Sequence, residues 1–143
     1  MKTFVLLIMM STLSSSVNWL TNFGEAKQKA KQEHKLILLN FSGSDWCGPC
    51  MRMRKEIFGS DEFTAIADTK LVLINADFPR MKKNQLLPAQ QKANDQLADH
   101  YNPKGIFPLT VLLNEDGTVL KSWEGLFQGT SAEFTFQLNE YLK

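Results

Sequence analysis

The feature that most restricts this chain is a short apolar run, Leu36 to Phe41, that leads almost at once into its only two cysteines, Cys47 and Cys50. A run of that length and composition reads as a strand buried on both faces. Two sulfurs separated by two residues come within bonding reach when the second begins a helix, because the first turn folds Cys47 back toward Cys50. Pro49 suits a helix start, where its missing N–H costs nothing. The helix dipole and the unpaired N–H groups of the first turn favour a thiolate there. Cys47 is therefore expected to be the more acidic and the more exposed sulfur, and the strand, cysteine pair and helix together point to thiol redox chemistry.

Other uses of the pair are open to the residues alone. A structural zinc site needs four ligands, and beyond the two cysteines the chain offers only His34 and His100, so the zinc reading is thin. A purely structural disulfide would close a very small loop and remove little chain entropy. Met51 and Met53 suggest soft-metal binding, since thioether and thiolate ligands suit Cu(I). Residues two apart on a helix face different ways, however, and Met53 is better read as core filler. No metal or other cofactor is expected.

The stretch Trp46-Cys47-Gly48-Pro49-Cys50 is identical to the active-site signature of thioredoxins. Leu38 to Cys47 resembles the strand and loop of secreted bacterial thioredoxin-like proteins, and Gly105-Ile106-Phe107-Pro108 before Leu109–Leu113 resembles the family's cis-proline segment. The resemblance covers most of the chain after residue 17. It implies an α/β, thioredoxin-like fold: a central mixed β-sheet flanked by helices on both faces. It also implies a protein disulfide oxidoreductase in which Cys47 attacks and Cys50 resolves, with Trp46, Gly48 and Pro49 supporting the pair. A cis Pro108 would keep metals off the sulfurs and, with Phe107, shape the substrate-facing surface. Gly48-Pro49 matches the dipeptide of reducing thioredoxins, so reduction of client protein disulfides is the favoured direction; an isomerase, an oxidase or a non-enzymatic binding module are the alternatives.

Three positions depart from the family. Asn40 stands where thioredoxin carries a buried aspartate that assists proton movement at the second cysteine, and asparagine cannot act as a base. The acid's lysine partner is missing from the apolar Leu71–Ile74. Leu109 stands where many relatives have threonine. Asn40 is expected to satisfy backbone groups at a strand end rather than to hold a water, with Asp45, Asp77 and Glu56 as candidate proton acceptors.

The N-terminus indicates a compartment. A lysine at position 2, an apolar core from Phe4 to Met10 and the small residues Ser11 to Ser16 follow the order of a secretory signal peptide, with cleavage expected near Ser16. The apolar part is too short to span a bilayer, and no membrane anchor is expected. Residues 1–16 are thus assigned to the signal and residues 17–143 to the thioredoxin-like domain. An exported reductant in an oxidising periplasm needs a source of electrons, by analogy a membrane thiol reductase. Loss of Lys2 takes the formal charge from +1 to zero, so nucleic acid is not an expected partner.

Periodicity supplies the remaining elements. Expected are a short edge strand over Val17–Leu20, a surface helix over Thr21–Glu33, and a helix from the cysteines to about Phe58 with Met53, Ile57 and Phe58 inward. A short helix over Asp61–Ala67 leads to the strand Leu71–Ala76. A polar loop then precedes a helix starting near Pro88 and running to Tyr101. Leu109–Leu113 and Thr118–Trp123 form a hairpin about Asn114–Gly117, and a final amphipathic helix covers Glu133–Leu142.

Overall fold

The two apolar runs pair with each other and fix the rest of the architecture. In the computed structural model, which describes residues 17–143, β2 (Leu36–Ser42) and β3 (Leu71–Asp77) lie parallel and in register from Leu36 opposite Leu71 to Ser42 opposite Asp77. The expected signal segment lies outside the described residues. A short β1 (Trp19–Leu20) adds parallel to β3, while β4 (Leu109–Leu113) and β5 (Val119–Glu124) add antiparallel beyond β2. The strand order is β1-β3-β2-β4-β5, a mixed sheet with β2 at its centre.

Alternate residues of these strands point to opposite faces, and both faces are covered. Ile37, Leu39, Phe41, Val72, Ile74 and Val111 pack under α1 (Phe23–Glu33) and α4 (Pro88–Tyr101). Leu38, Leu73, Leu112 and Trp123 pack instead against Met53, Ile57, Phe63, Phe134 and Leu138, from the helix after the cysteines and from α3 (Asp61–Lys70) and α5 (Ser131–Asn139). Burial on both faces explains why β2 and β3 read as continuous apolar runs and not as alternating ones. Among the described residues, no helix is long and apolar enough to cross a membrane.

Local signals place the ends. Asn22, Ser60 and Thr130 cap their helices by accepting N–H bonds from Glu25, Phe63 and Glu133, and Thr130 with Glu133 completes a capping box. Pro88 opens α4 where expected. Gly117, at φ +92° in the hairpin turn, holds a backbone conformation that side chains resist, and its carbonyl accepts the Tyr101 hydroxyl at 2.7 Å.

Several elements differ from expectation: β1 and α1 each begin two residues later, at Trp19 and Phe23, and α3 runs three residues further, to Lys70. The helix after the cysteines is α-helical only over α2 (Gly48–Arg52) and continues as a π-helix over Met53–Phe58. Inward residues spaced by four and five, as Met53, Ile57 and Phe58 are, suit a wider turn as well as a normal one, so periodicity does not separate the two. The last helix begins two residues earlier than expected, after its cap, and ends at Asn139; Leu142 still packs on the core from beyond it.

Candidate active site

Because β2 and β3 end side by side, the segments leaving them are brought together at one edge of the sheet. The first carries the cysteines. Cys47 is the N-cap of α2 with extended backbone, and its Sγ accepts the Cys50 N–H at 3.2 Å. The two are joined in a disulfide with Cα atoms 5.2 Å apart. Gly48 and Pro49 form the exposed first turn between them. The expected contrast in exposure is absent: Cys47 and Cys50 are 4% and 5% exposed. Cys47 Sγ lies over the first turn of α2, bonded to Cys50 and accepting its N–H.

Trp46 is half-buried and is held from four sides. Its Nε1 donates to the Phe78 carbonyl at 2.7 Å, and Phe107 meets it edge-on with ring centroids 5.4 Å apart. The Arg80 guanidinium carbon lies 3.7 Å from its ring centre. On the fourth side is Gly43, where any Cβ would collide with the indole. Sequence reasoning missed the contacts of Phe78 and Arg80 with Trp46, since both approach from more than thirty residues away along the chain and no local motif links them to it.

The peptide bond between Phe107 and Pro108 is cis. Phe107 is half-buried, packing on Phe78 as well as Trp46, while Pro108 is buried and its carbonyl accepts the Gly125 N–H at 2.8 Å. The approach to this bond is fixed by Asn102, a buried residue with no earlier signal. Its side chain accepts from the Ile106 N–H at 2.9 Å and donates to the Ile106 carbonyl at 2.8 Å.

Asn40 does not bond backbone groups at a strand end. It lies inside β2, where β3 and β4 already pair with the strand, so its amide turns to the side chains of its own cross-strand row. Asn40 Nδ2 donates to Asn75 Oδ1 at 2.9 Å, and Thr110 Oγ1 donates to Asn40 Oδ1 at 3.3 Å. Asn75 and Thr110 are its register partners on β3 and β4. Ser42 Oγ extends the row, lying 3.1 Å from Asn75 Oδ1 and 3.3 Å from Asp77 Oδ1. Asn40, Ser42 and Asn75 line a cavity of about 410 Å³ together with Cys50 and Phe58, and Arg54 and Lys55 stand at the same cavity.

The three candidate proton acceptors have other partners. Asp45 accepts the Arg80 and Met81 N–H groups, both at 2.9 Å, and the Asn84 amide at 3.0 Å. These bonds, that from Arg80 foremost, hold its carboxyl below the usual aspartate range. Glu56 is lowered chiefly by its hydrogen bonds from Arg52, at 3.0 and 3.2 Å. Asp77 accepts from the Ser44 N–H and hydroxyl, and of the three it alone touches the row that runs to Asn40. Met53 is fully buried while Met51 is 47% exposed, so the two methionines do not converge on the sulfurs.

A CxxC disulfide capping a helix, on a mixed sheet covered on both faces and beside a cis-proline loop, defines a thioredoxin-fold thiol–disulfide oxidoreductase. Residues 18–114 match a family profile described as thioredoxin-like, and the chain belongs to that family. It is 33% identical over 130 residues to the disulfide bond reductase DsbH of Chlamydia pneumoniae, covering 91% of this chain and 75% of that protein. The solved structure of a DsbH oxidoreductase superposes with a TM-score of 0.80 at 30% identity, covering 98% of this chain and 94% of the other. A thioredoxin from Thermus thermophilus, at 16% identity and TM-score 0.66 over 89% of this chain and 88% of its own, shares the fold.

Proposed function

We propose that this protein is an exported reductant of protein disulfides, with Cys47 as nucleophile and Cys50 as resolving thiol. The observation that carries the assignment of roles is the position of Cys47 at the N-cap, its sulfur 3.2 Å from the Cys50 N–H. Once the disulfide is opened, that N–H and the other unpaired donors of the first turn stabilise negative charge on Cys47 Sγ.

The reduced protein then works in two displacements. Cys47 thiolate attacks one sulfur of a client disulfide, an S–S bond forms between them, and the client's second sulfur leaves as a thiolate that takes up a proton. Cys50 loses its proton and attacks Cys47 Sγ; the mixed disulfide breaks and the first client sulfur leaves as thiolate. Two electrons have passed to the client, and Cys47 and Cys50 are again joined. Each further turnover draws two electrons from an external dithiol, which we assign to a membrane thiol reductase. Trp46, Gly48 and Pro49 fix the first turn, and Phe107 with Pro108 faces the client segment.

The reducing direction is supported by Gly48-Pro49 and by the likeness to a disulfide bond reductase. Export is supported by the signal-like order of residues 1–16, and a periplasmic site follows from it. The assignment is tested with an insulin-type disulfide substrate. Cys47→Ser abolishes reduction, and Cys50→Ser accumulates mixed disulfides; unchanged turnover in Cys47→Ser sinks the enzyme reading. Direction is read from the equilibrium of the pair with glutathione. A potential near thioredoxin's, about −270 mV, fits a reductant, whereas one near about −120 mV makes the protein an oxidant.

A further inference from the structure

Residues 17–143 carry no net formal charge, yet the cations and anions are unevenly placed around the sulfurs. From Phe78 to Asn94 the chain has Arg80, Lys82, Lys83 and Lys92 and no acidic residue. This loop is fastened to the active site. Asp45, next to Trp46 and two residues before Cys47, binds the N–H groups of Arg80 and Met81 and the side chain of Asn84, which holds the short 3₁₀ turn Lys82–Asn84 against the segment that leads into the cysteines. On the other flank, Arg54 and Lys55 of the π-helix stand at the cavity that Cys50 lines.

All six of these cations are exposed, and none joins an ion pair among the described residues. The carboxylates nearest the site do not offset them in kind: Asp45 is taken by the loop it fastens, Glu56 by Arg52, and Asp77 by Ser42 and Ser44. The Arg80 guanidinium lies against the Trp46 ring, which orders it and leaves its N–H edges available for a planar, two-pronged partner such as a carboxylate.

We propose that the segment taken up across Cys47 is acidic: the partner carries Asp or Glu residues close to its disulfide cysteine, received by Arg80, Lys82 and Lys83 on one flank and by Arg54 and Lys55 on the other. This names the substrate class of the site assigned above and rests on that assignment. A neutral protein with a cationic mouth gains no general attraction for polyanions, but it orients an acidic partner with the sulfurs foremost and speeds their encounter.

The test uses protein reduced beforehand and three disulfides, followed in single turnover: two peptides identical except for Glu or Lys on either side of the cysteines, and a small uncharged disulfide. At low salt the Glu peptide is reduced at least about tenfold faster than the Lys peptide, and the gap closes as ionic strength rises. In a Lys82→Glu/Lys83→Glu variant the preference shrinks or reverses, while the rate with the uncharged disulfide is unchanged. Equal rates for the two peptides in the native protein overturn the proposal, as does a preference that the charge reversal leaves intact. Failure to reduce the uncharged disulfide removes the reductase assignment itself.

Discussion

Asn40 donates to Asn75 across 2.9 Å, from the middle of one buried strand to the middle of the next, beside the cavity that Cys50 lines. Where thioredoxin pairs a buried acid with a lysine, this chain pairs two neutral amides. They satisfy each other without a charge, so they add order at little desolvation cost, but neither can take a proton.

Replacing Asn40 with aspartate restores a base to that position. Burial and the loss of water raise its pKa above the ordinary aspartate value, and no cation is among its hydrogen-bond partners to oppose this. Mixed-disulfide resolution, measured by quenching, is expected to quicken as pH rises through that pKa, with no such step in the native protein. Because the folded pKa is raised, the variant matches its best stability only at acid pH and loses it as the carboxyl ionises. Urea unfolding at about pH 4 and pH 8 checks the sign; a variant equally stable at both contradicts it.

Asp45 behaves in the opposite sense. Its folded pKa is depressed, chiefly by the Arg80 N–H, so its hold on the loop is full above the unfolded aspartate value and is lost as pH falls through the folded one. Amide exchange at Arg80 and Met81 is expected to accelerate on acidification, relative to amides of β2. Asp45→Ala should show that fast exchange already at neutral pH, with the Cys47–Cys50 couple still able to react.

Gly43→Ala places a methyl group inside the space of the Trp46 indole. The ring must move, losing its bond to the Phe78 carbonyl and its contact with Arg80. A stability loss of about 1–3 kcal/mol is expected, the usual cost of overpacking. Near-ultraviolet circular dichroism reports the displaced indole, and an unaltered spectrum with native stability argues against the contact.

Phe134 is the hub of the aromatic core beneath the active-site helix, meeting Phe58, Phe63, Trp123 and Phe127 with ring centroids 5.0–6.2 Å away. Phe134→Ala should cost about 3–5 kcal/mol, as removal of a fully buried aromatic does. Chemical denaturation measures it. Phe136, two positions on and exposed, is the control, with a change within about 0.5 kcal/mol.

The sheet and its helices were legible because burial on both faces leaves unbroken apolar runs, and because Pro88, Ser60 and Asn114-Gly117 mark ends by local chemistry. The cysteine pair was legible for the same reason: its function is written in adjacent residues. What escaped is long-range or lies below the resolution of a pattern. Asn75 was absorbed into the apolar run Leu71–Ala76, so the partner of Asn40 went unseen. Arg80 and Phe78 reach Trp46 only through the parallel pairing of β2 with β3, which no motif in either segment announces. The change from α- to π-helix at Met53 alters hydrogen-bond register without altering which residues are buried.

The in-step pairing of β2 and β3 has a consequence for engineering. Since both strands leave the sheet at the same level, from Ser42 and Asp77, the loop that does the chemistry and the loop that meets the partner are separate pieces of chain set on a shared rigid footing. One could be transplanted without rewriting the other. A loop of different charge grafted between Asp77 and Pro88, keeping Phe78, the Arg80 and Met81 N–H groups and the Asn84 side chain that Asp45 binds, should redirect the choice of partner while the dithiol retains its potential. Lengthening either strand by one residue would undo this independence, because it would swing the two loops out of step and carry the receiving surface away from the sulfurs.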